Sequence, residues 1–394
     1  MERQAAGISG DRTEDGSGSA MSVILLVTIL TLSALYAPQP LLPVIVAEFG
    51  VSREAAAFLT TVCFIPLSIA PLFYGYVLES LSPRRLIRGA VLLLAFSEIL
   101  FYFASSFPLL IGVRLIQGLL IPALLTSLMT YIATVTPSGS VQRAMGIYIA
   151  ATILGGFLGR ACSGMLATWF GWRSSFLVLA ASLLVSFFLL RRLSDTAPLG
   201  LVRPTPRILL EVFRDRALLP ICLVVFCLFL VFAAIMNFLP FRLTELSDRA
   251  SELRIGLMYT GYLLGMVSSL NAVRIGRYLG GERRAMLVGL AVLAAALVGL
   301  GVPRVEVFFA VMFLFCGAMF LVHATASGLL NRRAGASKGI VNGLYVAFYY
   351  AGGSIGSFLP GYAYRYFGWN GFLALLLLVA GSGLFFALRV SQES

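Results

Sequence analysis

Four ionisable side chains stand inside long apolar segments, where a charge is costly and is kept mainly for function. Glu98 lies in "LLLAFSEILFYF", Arg114 in "RLIQG", Arg160 in "GGFLGRACSG", and His323, the single histidine, in "FCGAMFLVHATASGLL". A carboxylate at depth can take up and release a proton, and a histidine changes charge near neutral pH. An arginine can hold an organic anion through charge-assisted hydrogen bonds. Glu98 and His323 are therefore candidate proton-carrying groups. Arg114, Gln117, Arg160, Asn237, Asn342 and Tyr345 are candidates for lining a solute cavity, a setting that is mostly apolar with a few placed polar groups. Each also has a structural reading: Glu98 paired to a neighbouring helix, Arg160 reaching toward the interface along its stem, His323 hydrogen-bonded in the core.

Counted at 1.5 Å per residue from their bounding turns, Glu98 and Arg114 come out about 12 Å below one membrane surface and Arg160 about 13 Å below it. One depth for three ionisable groups leads us to expect a charge cluster, or a carboxylate that exchanges partners.

The segments holding these residues must be transmembrane helices. Of 394 residues, 59% are hydrophobic and only 12% charged, about half the charged share of a soluble domain. Apolar runs give twelve spans, near 21–45, 55–78, 86–105, 108–134, 143–168, 172–191, 217–241, 252–273, 283–302, 306–330, 338–364 and 370–389. Each is long enough to cross about 30 Å of hydrocarbon. The expected class is all-α, with residues 1–20 a disordered tail, 21–191 a six-helix bundle, 192–216 a linker and 217–390 a second bundle.

The net charge of +12 comes almost wholly from arginines in short loops, and Lys338 is the only lysine. Of the 29 basic residues, 20 fall on the side of the N-terminus and 7 on the other, with Arg114 and Arg160 inside spans. Loop arginines of this kind set orientation and place both termini in the cytoplasm; they argue against a nucleic-acid partner. The five cysteines lie in apolar runs without paired spacing, and one histidine cannot form a multi-histidine site, so no metal is expected. No strand precedes "GGFLG" and no lysine follows it in the phosphate-cradling pattern, so no nucleotide cofactor is expected. A membrane enzyme would need a cluster of acids or histidines near one surface. A sensor would need an output domain longer than the central loop.

The two halves are related. Residues 146–172 align without a gap on 343–369, matching at ten positions that include six glycines and the "FGW" at 170–172 and 367–369. Two parallel six-helix repeats enclose a midplane cavity and rock to expose it alternately. Gly155 and Gly159, with Gly352 and Gly356, fall on single helix faces at i, i+4, the spacing of close helix contacts in bilayers. They are expected to let these spans glide against the opposite half.

With the repeat in place, the chain resembles the major facilitator superfamily throughout its length after residue 20. "GYVLESLSPRRLIRG" (75–89) is similar to the family's loop signature, which implies a conformational latch built on Gly75, Glu79, Arg84 and Arg85. Ser80, Ser82 and Pro83 depart from that signature. "RLIQG" resembles the R-x-x-Q-G of proton-coupled exporters and implies a role for Arg114 and Gln117. The glycines around Arg160 resemble an exporter signature in which proline often follows the glycine. "LYAPQPLLP", "NFLPFRL" and "VHATASGLL" resemble the YnfM-like efflux branch. The resemblance implies a monomeric multi-pass protein of a bacterial inner membrane that exchanges protons for a small organic solute such as a drug, metabolite or siderophore. Proton-coupled uptake of an organic anion or sugar-like solute is the alternative.

Overall fold

The computed structural model describes residues 5–70, 81–194, 215, 217–247, 250–333 and 338–391. Helices α1 Ala5–Tyr36, α2 Leu42–Phe49, α3 Arg53–Ile69, α4 Pro83–Phe103, α5 Phe107–Val135, α6 Val141–Phe170 and α7 Ser174–Leu189 precede the central connection. After it come α8 Leu219–Leu246, α9 Glu252–Met258, α10 Gly261–Leu270, α11 Ala272–Tyr278, α12 Glu282–Gly299, α13 Val305–Arg333, α14 Lys338–Gly356 and α15 Pro360–Arg389. Residues 5–20, expected as an irregular tail, continue α1.

Among the described residues, eight helical segments are long and apolar enough to cross a membrane, beginning with Ala20–Phe49. The other four expected spans are shorter or interrupted. The second runs past Ile69 into residues outside the description, and the eighth is cut into α9, α10 and α11 at Tyr259–Thr260 and at Asn271. The ninth, α12, opens on the charged triplet Glu282, Arg283 and Arg284. The eleventh is α14 together with the start of α15, which bends at Gly368 (φ 68°) where the twelfth begins. Gly171, the repeat equivalent of Gly368, also has positive φ (82°) and ends α6. Only glycine adopts that backbone cheaply, so the repeated "FGW" marks the same turn in both halves.

Prolines break or bend the helices at depth, and each leaves a carbonyl without its helical donor. Pro38 and Pro40 end α1, pass the chain through a 3₁₀ turn at Gln39–Leu41 and start α2. Pro240 lies inside α8. Two of these freed carbonyls, those of Ala34 and Met236, reappear as acceptors for buried side chains.

Gly155 and Gly159 seat α6 against α1: a Cβ at Gly155 would stand 2.5 Å from the Ile29 carbonyl oxygen, and one at Gly159 2.5 Å from Cα of Ser33. Gly352 and Gly356 seat α14 against α8 in the same way, at Phe226 and Leu230. Each contact is displaced by the same 197 positions, from 29 to 226, 33 to 230, 155 to 352 and 159 to 356. The expectation that these faces glide on the opposite half is therefore corrected. They lock α6 and α14 to the first helix of their own half. Glycines that meet the other half include Gly164, against the Glu252 carbonyl of α9, and its repeat partner Gly361, where a Cβ would stand 3.2 Å from Cγ of Glu54 in α3.

Adding one methyl at these own-half contacts forces backbones apart. Gly159→Ala and Gly356→Ala are each expected to lower stability in detergent by about 1–3 kcal/mol. Gly89→Ala, on the exposed side of α4 with open space around it, should be neutral or stabilising by up to about 1 kcal/mol. Thermal unfolding of the three variants checks this, and equal melting temperatures would contradict the packing.

Candidate functional site

The halves meet toward one end of the molecule, opposite to that of Ser391. At its rim Arg53 of α3 pairs with Glu245 of α8 at 2.5 Å, and Glu245 also accepts from Arg242 at 3.0 Å and from the Tyr364 hydroxyl at 2.7 Å. Across the molecule, Thr168 of α6 accepts from the Leu253 amide at 3.0 Å and donates to the Glu252 carboxylate at 3.3 Å. These groups are partly exposed, and pairs of that kind contribute only about 0–1 kcal/mol.

Below the rim lies Asn237, fully buried in α8. Its Oδ1 accepts from Gln39 Nε2 (3.1 Å) and Thr60 Oγ1 (2.9 Å), and its Nδ2 donates to the carbonyls of Ala57 (3.0 Å) and Ser357 (2.8 Å). All four hydrogen-bonding positions of the amide are filled. Three of the partners belong to the first half and one to the second. Ser357 has its hydroxyl 2.6 Å from that of Thr61. Its carbonyl is open to Asn237 because the chain turns here, with the Gly361 amide donating to Phe358 instead. Asn237 thus sits in the seam between the halves rather than lining a cavity.

Arg160 joins the same network. It is 1% exposed, its Nε donates to Gln39 Oε1 and its Nη1 to the Gly156 carbonyl, both at 2.6 Å. The rings of Tyr36, Tyr262 and Tyr259 stand 4.0, 4.8 and 5.0 Å from the guanidinium carbon. Ring faces attract a cation, with about 2 kcal/mol or more when the contact is dry. Gln39 therefore bonds Arg160 with one end of its amide and Asn237 with the other. The Tyr259 hydroxyl reaches the Met236 carbonyl, four residues before Pro240 and freed by it, at 2.9 Å.

Arg114 has a different environment. Its donors go to the carbonyls of Leu59 (3.1 Å), Ala34 (3.1 Å) and Leu35 (2.7 Å) and to Gln117 Oε1 (2.7 Å). Ala34 is four residues before Pro38, so its carbonyl lacks a helical donor. Arg114 covers that break and ties α1, α3 and α5 together. Glu98, fully buried in α4, faces Arg114 and Gln117. Among the described residues neither carboxylate oxygen meets a hydrogen-bond partner, nor does the Gln117 amide nitrogen beside it. The expected three-charge cluster thus divides into a Glu98–Gln117–Arg114 group on one side and Arg160 at the seam.

In the second half His323 is half-buried in α13. The Tyr345 hydroxyl lies 3.0 Å from both its Nδ1 and its carbonyl oxygen. A phenol that donates to the carbonyl accepts from Nδ1–H, which leaves the ring lone pair on Nε2. Asn342 donates to Asn331 at 2.7 Å and braces α14 on α13. From His323 an aromatic series leads back to the Arg160 cage: Tyr349 at 4.8 Å, stacked on Phe229 at 3.7 Å, then Phe232 and Tyr262. Phe64 brings the first half to this wall, against Phe229 and Tyr350.

Of the expected latch, Gly75 and Glu79 lie outside the described residues. Arg84 donates to the Arg191 carbonyl at 3.2 Å, and with Arg85, Arg88 and Phe187 it borders a hollow at the Ser391 end. Gln39, Thr60, Tyr36, Tyr259 and Tyr262 were not singled out in the sequence. The proline spacing of "APQPLLP" was the available signal, because a broken helix at depth requires polar neighbours.

A family model described as the Major Facilitator Superfamily matches residues 24–279. The inner membrane transport protein YnfM of Escherichia coli is 29% identical over 363 residues, covering 89% of this chain and 86% of its own. A transporter of Buchnera aphidicola subsp. Acyrthosiphon pisum, BU588, is 25% identical over 371 residues, covering 92% and 90%. The crystal structure of a bacterial homologue of the human lysosomal transporter Spinster, inward-facing and unoccupied, superposes with a TM-score of 0.69 over 95% of both chains at 15% identity.

Removing the Asn237 amide leaves Gln39 Nε2, Thr60 Oγ1 and the carbonyls of Ala57 and Ser357 without this partner, at about 1–3 kcal/mol for each group left unsatisfied. Asn237→Ala is expected to open the rim. Spin labels at the exposed positions Leu109 and Val302, in opposite halves, should report longer distances in the variant on a cysteine-free background. An unchanged distribution would mean that this network does not hold the halves together. Glu245→Gln should have the smaller effect.

Proposed function

This chain belongs to the major facilitator superfamily, and on that premise we propose that it is a proton-coupled secondary transporter that exports a small organic compound by alternating access. The observation that carries the reading is the seam. Two repeat halves, each internally locked by its glycine contacts, are joined at one end by neutral hydrogen bonds around Asn237. Such bonds can be exchanged for water when that end opens, whereas the glycine contacts within each half stay fixed.

On this reading residues 21–191 and 217–390 move as the two bundles and both termini are cytoplasmic, as the arginine distribution suggests. The sealed end then faces away from the cytoplasm, in the inner membrane of a bacterium, and the protein works as a monomer. Proton coupling rests on Glu98 and His323. Glu98 is a buried carboxyl with unpartnered oxygens next to Arg114, and His323 turns one ring nitrogen to Tyr345 and keeps the other for exchange. Export over uptake rests on the likeness of spans 4 and 5 to exporters. Uptake of an organic anion is the second reading, favoured by Arg160, which makes no ion pair to a carboxylate among the described residues.

Purified protein in liposomes with an imposed pH gradient tests coupling. Candidate solutes that are carried should dissipate the gradient, and Glu98→Gln or His323→Gln should reduce that flux at least about tenfold without loss of folded protein. Flux unchanged in both variants would remove these residues from coupling. Uptake into everted vesicles, compared with intact cells, decides direction.

A further inference from the structure

We propose that Arg160 is a binding site for the charged group of an organic anion, a carboxylate or similar oxyanion whose aromatic or apolar body lies along the tyrosine and phenylalanine wall. The inference rests on the transport reading and adds to it a substrate class.

The guanidinium is almost completely buried, yet its hydrogen-bond partners are the neutral acceptors Gln39 Oε1 and the Gly156 carbonyl. Nη2 donates to no group among the described residues, so one face of the buried guanidinium keeps an unused donor. The titratable groups facing Arg160 are Tyr36, Tyr259, Tyr262 and Cys316, from α1, the break between α9 and α10, α10 itself and α13. All are neutral at physiological pH. The carboxyl of Glu98, deep in α4, lies by Arg114. Arg114 thus has a carboxyl beside it, and Arg160 has none among the described residues.

Such a cation favours an anionic ligand through both its field and its unused donor, because a hydrogen bond to a charged acceptor is roughly twice as strong as a neutral one. The rings that cage it extend through Phe232 and Phe229 to the half-buried Tyr349 and His323, an aromatic face that an apolar body would lie against. The site is single: the repeat equivalent of Arg160 is Ser357, whose carbonyl serves Asn237. Because Gln39 links Arg160 to Asn237, an anion that draws the guanidinium toward itself also pulls on the seam.

The test uses three probes of one shape in different charge states, 2-naphthoate, 2-naphthamide and 2-naphthylmethylammonium, titrated to millimolar concentration against the full-length protein in detergent. Tryptophan fluorescence and thermal shift provide the readouts. Naphthoate is expected to bind at least about tenfold more tightly than the other two. That preference should vanish in Arg160→Gln and persist in part in Arg160→Lys, which keeps the charge and controls for folding. Equal affinity for all three probes, no binding of any of them, or an anion preference that survives Arg160→Gln would overturn the proposal. Flux in liposomes is measured independently, so a carrier without anion preference and an anion binder without transport give different results.

Discussion

Hydrocarbon supplies no hydrogen bonds, and this chain breaks its helices in the middle of it. That constraint orders the interior. Pro38 leaves the Ala34 carbonyl without a donor and Arg114 reaches it from α5. Pro240 leaves the Met236 carbonyl bare and Tyr259 reaches it from beyond α9. The turn after α14 exposes the Ser357 carbonyl and Asn237 reaches it from α8. Each repair comes from a different helix, so each also binds two helices together. Polar residues that look expensive at depth are, in these cases, what permits the bends.

The repair at the seam is also where the two repeats meet. Arg160 and Ser357 occupy equivalent positions, and they approach the Gln39–Asn237 bond from opposite sides. One donates to Gln39 and the other accepts from Asn237. The duplicated frame, with its glycine contacts and positive-φ turns, is the same in both halves. What fills the equivalent positions differs. A symmetric frame can rock about the seam, while an asymmetric filling puts a guanidinium on one side of it and a backbone carbonyl on the other.

Much of this frame is legible along the chain because it depends on local pattern. Hydropathy marks the spans, glycine spacing marks a contact face, and the repeat of "FGW" marks a turn whose glycine needs positive φ. The neighbour of a face is not a local property. Gly155 and Gly159 define a smooth stripe, but nothing in their spacing says that α1 rather than the other half lies on it. The site has the same limit. Arg114 and Arg160 stand out individually by type and depth, yet Gln39 meets Asn237 across 198 positions, and the cage of Tyr36, Tyr259 and Tyr262 is drawn from both halves. Equal depth suggested one charge cluster, but helix direction separates Glu98 and Arg114 from Arg160.

The composition of the seam also bears on how readily it could open. Burying an ion pair there would carry a large desolvation cost, and separating it would leave a charge stranded in a dry contact. The seam instead uses amides, hydroxyls and carbonyls, whose bonds are worth about 1 kcal/mol each net of water. Among the described residues the one ion pair between the halves, Arg53 with Glu245, lies at the partly exposed rim where water can replace either partner. The buried cation beside the seam, Arg160, hydrogen-bonds within its own half and meets the other half through the rings of Tyr259 and Tyr262. A joint built in this way holds through the sum of several weak bonds and parts without separating a buried ion pair, which suits the opening and closing that the proposed alternating access requires.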